Sequence, residues 1–177
     1  MNLGTIRVLA GLVTAALAGV IAVGLTGVDR DPVRSAEDLQ PRRVRVVAIV
    51  DGDTLRVETM EGRSLGRIRV LGIDAPETEH PPDPTECYGD TATALLERLV
   101  PIGVIVELVA DAHQDDRDHY DRLLRYVDHR GQDVAARLIQ AGAVRLYQDA
   151  DRLVRGATYR AAARTAQEAD RGLWGDC

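Results

Sequence analysis

Asp53, Asp74 and Glu77 are three carboxylates that the local sequence places at chain corners, and Arg69 lies between the first two in sequence. Asp51-Gly52 is a turn dipeptide between two apolar, β-branched runs, which puts Asp53 at a hairpin corner. A second strand-like run, residues 68–73, ends in Asp74-Ala75-Pro76-Glu77-Thr78. Two strand ends would therefore bring the three acids to one place, with Arg69 just behind them. Carboxylate oxygens suit a hard divalent cation, and a guanidinium fork suits a phosphate. Each residue also has a plainer reading. Turn aspartates often only shape the turn, Arg69 could face solvent, and Arg122, behind an acidic loop, could form a surface ion pair. The set implies the chemistry; no single member does.

The surrounding pattern supplies the elements that must position them. Residues 44–50 and 54–59 read as paired strands, and Glu61-Gly62-Arg63 turns the chain into a third strand over 65–73. Residues 79–89 contain three prolines and read as a loop. Asp90 can cap a helix whose Ala92, Leu95, Leu96 and Leu99 recur at helical spacing, stopped by Pro101 and Gly103. Strands follow at 104–109 and 122–127, separated by the acidic stretch 111–121. Gly131 leads into a helix capped by Asp133 and ending at Gly142, then a short extended piece at 144–147 and a last helix at 151–169. Five short strands with a helix between the third and fourth predict an α+β domain, a five-stranded OB-fold Greek-key barrel with about three helices.

Formal net charge is −6, and the chain has neither Phe nor Lys. No overall basic field is present to hold nucleic acid, so a phosphate site would have to be local. Residues 8–28 are uncharged and rich in Ala, Val, Leu and Gly. The division expected is a signal peptide or N-terminal membrane anchor at 1–28, a linker at 29–42 with Pro32 and Pro41, and a domain at 43–177. Arginines after the apolar run would favour retention of the C-terminal part inside. The cysteines favour export: Cys87 and Cys177 have no metal-binding spacing, and an even count behind such a leader predicts one disulfide between them. The protein is thus expected to be secreted or membrane-anchored, extracytoplasmic and monomeric.

Three separated motifs, Asp51-Gly52-Asp53-Thr54, the run from Arg69 to Thr78, and Tyr120-Asp121-Arg122-Leu123-Leu124, resemble the staphylococcal nuclease (thermonuclease) family. The resemblance extends over residues 43–174, with Gly131, Gly142 and Leu173-Trp174 in the family's order. It implies that Asp53 and Asp74 hold Ca2+ by their side chains and Ala75 by its backbone carbonyl. Arg69, Glu77 and Arg122 would be catalytic, with Glu77 acting on the attacking water and the two arginines stabilising the transition state. DNA or RNA would be cleaved to 3′-phosphate ends, with Tyr120 and His119 contacting the substrate.

The chain departs from the family pattern at three of these places. Ala75 stands where Thr is frequent, Asp121 where Gly is common, and His119 where a phosphate-binding lysine usually precedes the tyrosine. Tyr147 could stack on a base. Asp111, Asp115, Asp116 and Asp118 could take a second calcium or simply solvate their loop. Two other functional classes stay open: a non-catalytic OB-type nucleic-acid-binding module, and an envelope-interaction protein using its acidic cluster.

Overall fold

Alternation of apolar and polar residues in 42–70 produces three antiparallel strands, β1 (Arg42–Ile49), β2 (Thr54–Glu58) and β3 (Ser64–Val70), in the computed structural model, which describes residues 40–78 and 84–177. The predicted leader and most of the predicted linker lie outside the described residues. The remaining strands are β4 (Ile73–Asp74), β5 (Ile105–Val109), β6 (Leu123–His129), β7 (Gln132–Asp133) and β8 (Arg145–Leu146). The helices are α1 (Gly89–Leu99), α2 (Val134–Gln140), α3 (Gly156–Glu168) and a final turn, α4 (Leu173–Asp176).

Sheet order is β3-β2-β1-β5-β6-β7, and a parallel β3–β6 pairing closes the first five strands into a barrel. Val44, Val46, Leu55, Val57, Ile68, Val70, Val106, Leu108, Leu123 and Val127 are buried and fill it. With no Phe available, the bulky positions go to Tyr126 and Tyr159, packed edge to face. α1 covers the barrel with Ala92 and Leu96, and α2 with Val134, Ala135, Leu138 and Ile139. The expected OB-type α+β barrel is the fold observed.

Several local expectations are corrected. β1 begins at Arg42, inside the predicted linker, because Arg42 and Arg43 already pair with Leu108 and Glu107 of β5. The third strand does not run unbroken to residue 73. Gly72, at φ 82°, turns the chain, and Ile73–Asp74 pair instead with Arg145–Leu146. A side chain at Gly72 would collide with the Tyr159 ring. Asp90 is not the cap of α1; the helix starts one residue earlier, at Gly89, after Tyr88 in left-handed conformation. Asp133 does cap α2, accepting from the Ala136 N–H at 3.0 Å. The last predicted helix splits: a short 3-10 turn (Ala150–Arg152) precedes α3, and buried Leu153 separates them.

The acidic stretch 111–121 is largely exposed, but its first residue is not. Asp111 is fully buried and accepts from the Tyr126 hydroxyl and from the N–H groups of Val154 (2.8 Å) and His113 (2.7 Å). Behind it, Arg155 forks onto both oxygens of Asp128 at 2.6 and 2.7 Å, reaches Asp133 at 2.8 Å, and lies over the Tyr126 ring. This network fastens the start of α3 to the barrel.

Cys87 and Cys177 form a disulfide across 90 residues of sequence. In the chain-entropy view a loop of this length restricts the unfolded state by about 4–5 kcal/mol. Replacing both cysteines with serine should lower the unfolding free energy by about 4 kcal/mol in urea titrations, with the native circular dichroism spectrum retained.

Candidate active site

The corner after β1 brings Asp53 inward, and its side chain is 9% exposed. Asp51 shapes the corner by accepting from the Asp53 N–H at 2.9 Å. Gly52 is required there: a Cβ would lie 2.7 Å from that of Ala75 and 2.9 Å from that of Ala92. The corner therefore packs directly against the residue after Asp74 and against α1.

Asp53 Oδ2 accepts from the Ala75 N–H at 2.8 Å and from Arg69 Nη1 at 2.9 Å, while Oδ1 accepts from the Thr54 hydroxyl at 3.0 Å. Arg69 also donates to the Ile73 carbonyl at 2.7 Å and to Asp74 Oδ1 at 2.8 Å. One guanidinium thus spans both predicted metal carboxylates. Burial, the largest influence, and the charge of Asp51 push the Asp53 carboxyl up to about 7, against the pull of Arg69 and the Ala75 and Thr54 donors.

Arg122, just before β6, approaches from the neighbouring strand. Its Nε donates to Asp118 Oδ2 at 2.7 Å, and its Nη1 to the Thr54 hydroxyl at 3.3 Å. Thr54 therefore links the Asp53 carboxyl to the Arg122 fork. Asp118 also accepts from the Arg122 and Tyr120 N–H groups, both at 3.0 Å. Burial opposes the charge of Asp118, but these donors and the guanidinium outweigh it and hold its carboxyl below the usual range.

Glu77 is exposed, and its backbone is fixed on both sides. Its carbonyl accepts from the Glu86 N–H at 2.9 Å, and its N–H donates to the Glu86 carboxylate at 3.3 Å. Gly89 lets α1 approach: a Cβ there would lie 2.5 Å from the Glu77 carbonyl oxygen.

Asp53, Arg69, Asp74, Glu77, His119, Tyr120 and Arg122 all line one open cleft of about 890 Å³. Ala75 does not line it; it backs the cleft through its N–H and its contact with Gly52. Tyr120 is 59% exposed, with Arg122 5.3 Å from its ring centre and the His119 ring against it. Tyr147 holds the corresponding place on the other side, 5.9 Å from Arg69. Both rings stand beside a guanidinium at the cleft edge.

The Asp121 departure also has a structural account. Its φ is 62°, a conformation that Gly adopts freely and Asp tolerates, and its carboxylate pairs with Arg117 at 3.2 Å rather than with Arg122. The suggested second calcium site is not formed. Asp111 is buried, Asp116 pairs with Arg125 at 2.5 Å, and Asp118 pairs with Arg122. Among the described residues no three His, Cys, Asp or Glu side chains converge as a metal cage.

A hard divalent cation still fits the Asp53–Asp74 pair. Arg69 pairs with both carboxylates, and burial raises the Asp53 carboxyl despite that guanidinium, a shift that a bound cation would oppose. Sequence reasoning missed Thr54, Asp118 and Glu86. The first follows Asp53 directly and the second stands at i−4 from Arg122, but neither spacing identifies a partner until the loop is folded.

The sequence that builds this cleft is similar to those of known proteins. Residues 67–176 match the family described as Staphylococcal nuclease homologue, which takes in Arg69, Asp74, Glu77 and Arg122 but begins after Asp53. An uncharacterized endonuclease of Escherichia coli O157:H7 is 32% identical over 133 residues, 75% of this chain and 76% of that protein. The thermonuclease of Staphylococcus hyicus is 28% identical over 123 residues, 68% of this chain and 70% of its own. The SPbeta prophage-derived endonuclease YokF of Bacillus subtilis (strain 168) is 39% identical over 97 residues, 55% of this chain but 31% of that protein, so the chain corresponds to less than a third of its length. The chain belongs to the staphylococcal nuclease family. Its enzymatic class is accordingly that of a nuclease, a hydrolase of nucleic-acid phosphodiesters.

The lowered pKa of Asp118 has a definite sign. A folded-state pKa below the unfolded value stabilises the protein above about pH 4, and the benefit disappears as pH falls through the lower folded value. Asp118→Asn should therefore flatten the acid side of the stability curve, with urea midpoints lying under wild type at pH 7 and converging on it as pH falls through the lowered folded value.

Proposed function

We propose that this chain is an exported, calcium-dependent nuclease that cleaves DNA or RNA by water attack and leaves 3′-phosphate ends. The observation that carries this reading is the opening of two guanidiniums, Arg69 and Arg122, onto the same cleft as Asp53, Asp74 and Glu77. Two planar forks match the equatorial oxygens of a phosphorane-like state as their charge grows. In the structure described, each fork is held by internal carboxylates, Arg69 by Asp53 and Asp74 and Arg122 by Asp118. The forks are thereby oriented before a phosphate arrives.

Calcium, where bound, would be held by Asp53 and Asp74 with the Ala75 carbonyl, and would offset the phosphate charge and polarise its oxygen. Glu77, exposed on the cleft and fixed through its backbone, accepts a proton from water as the new O–P bond forms. The P–O5′ bond breaks, the electron pair leaves with the 5′ oxygen, and the 3′ side keeps the phosphate. Tyr120 and Tyr147 offer exposed rings on which flanking bases stack without sequence preference. A purely binding module would have no use for three carboxylates facing a polyanion, and an envelope-interaction role loses its acidic cluster to internal pairs.

Export is supported by the uncharged leader-like run at 8–28 and by a disulfide suited to an oxidising compartment. Among the described residues no helix is long and apolar enough to cross a membrane.

Protein from residue 40 onward should degrade single-stranded DNA with calcium and stop on addition of EDTA. Glu77→Gln should lose about 10²- to 10⁴-fold in kcat while keeping its thermal midpoint. Full activity in that variant would remove Glu77 from the mechanism.

A further inference from the structure

The outer face of β2 and β3 carries arginines that catalysis does not use. Leu55, Val57, Ile68 and Val70 point into the barrel, so the pleat turns Thr54, Arg56, Arg67 and Arg69 outward. Register sets Thr54 opposite Arg69 and Arg56 opposite Arg67. On the other side of β3, the parallel pairing of Ile68 with Leu123 and Arg69 with Leu124 brings Arg122 alongside Arg67. Arg56 on β2, Arg67 on β3 and Arg122, just before β6, thus form one row. Arg67 donates to the Tyr120 carbonyl at 3.2 Å and lines the catalytic cleft, whereas Arg56 lies beyond the rim opposite Ala48 of β1.

Like charges directly opposed across a sheet destabilise it. Among the described residues neither Arg56 nor Arg67 forms an ion pair with a carboxylate. Glu58, on the same face of β2, is engaged by Arg45 at 3.5 Å. An unneutralised pair of arginines is conspicuous in a protein of net charge −6, where carboxylates are plentiful. Folding gains nothing from it, but an anionic ligand would.

We infer that Arg67 and Arg56 form a phosphate track continuing the cleft, binding successive backbone phosphates of a nucleic-acid strand beyond the scissile one. The inference rests on the nuclease reading of the cleft and adds the direction in which a long substrate leaves it. Guanidinium forks suit phosphate oxygens, and among the described residues neither Arg56 nor Arg67 lies against an aromatic ring, so their contact reads charge and not base identity.

The test compares wild type with Arg56→Ala, the double variant Arg56→Ala/Arg67→Ala, and Arg98→Ala as a charge-matched control in the last turn of α1, the end away from Glu77. Anisotropy of a labelled 20-nucleotide oligothymidylate in EDTA reports binding without cleavage. KM on that 20-mer and on a thymidine dinucleotide, each over a range of salt, reports the length dependence. The track predicts binding five- to tenfold weaker in the double variant and a 20-mer KM raised at least fivefold more than that of the dinucleotide. It also predicts a log–log salt slope shallower by about 0.7 for each arginine removed. Thermal midpoints should be unchanged or higher, because a like-charge contact is removed.

Equal losses on both substrate lengths would show that these arginines act through Arg122 and Tyr120, and would overturn the track. So would effects no larger than those of the Arg98 control. Wild type that cleaves no nucleic acid would defeat the nuclease reading instead, and the anisotropy comparison would still decide the track.

Discussion

One guanidinium sets the geometry on which everything else in the cleft depends. Arg69 contacts Asp53 from the β1–β2 corner, Asp74 from the turn after β3, and the carbonyl of Ile73 between them. Its side chain is only 11% exposed, so these contacts are made where water competes poorly. Each partner alone would be costly to bury: a lone carboxylate loses its hydration, and a lone guanidinium leaves donors unmet. Together they fix two strand ends at hydrogen-bonding distance. The Ala75 N–H on the same Asp53 oxygen then prevents the second corner from swinging away.

The second arginine is fixed by a different device. Arg122 lies at the end of an irregular loop, where a long side chain would ordinarily sample many rotamers. Asp118 removes that freedom by binding the side chain and the backbone of the same residue, and Thr54 connects it back to Asp53. The loop is itself anchored by buried Asp111 through Tyr126 and Val154. Carboxylates in this chain therefore serve two purposes. Some face the cleft, and others hold the arginines that face it.

What was legible in the sequence followed from local rules. Alternation with period two marked the barrel strands, Asp51-Gly52 marked the corner that presents Asp53, and Asp133 announced the start of α2. Where local rules failed, a distant contact had overruled them. Asp90 has the chemistry of a cap, yet α1 starts at Gly89 because that glycine alone lets the helix approach the Glu77 carbonyl. The run through Gly72 looks like a continuous strand, but Tyr159, far along the chain, occupies the space beside it. Asp111 and Asp118 look alike in sequence. Only the positions of Tyr126 and Arg122 give one a structural role and the other a role in holding the site.

The covalent link at the chain end reaches further than its effect on the unfolded state. Cys87 is the immediate neighbour of Glu86, whose backbone and carboxylate together grip Glu77. Glu77 is thus tethered, through two adjacent residues, to Cys177 beyond α3. Opening the bond would leave the barrel strands hydrogen-bonded while slackening this grip, so the redox poise of the surroundings bears on how firmly Glu77 is placed.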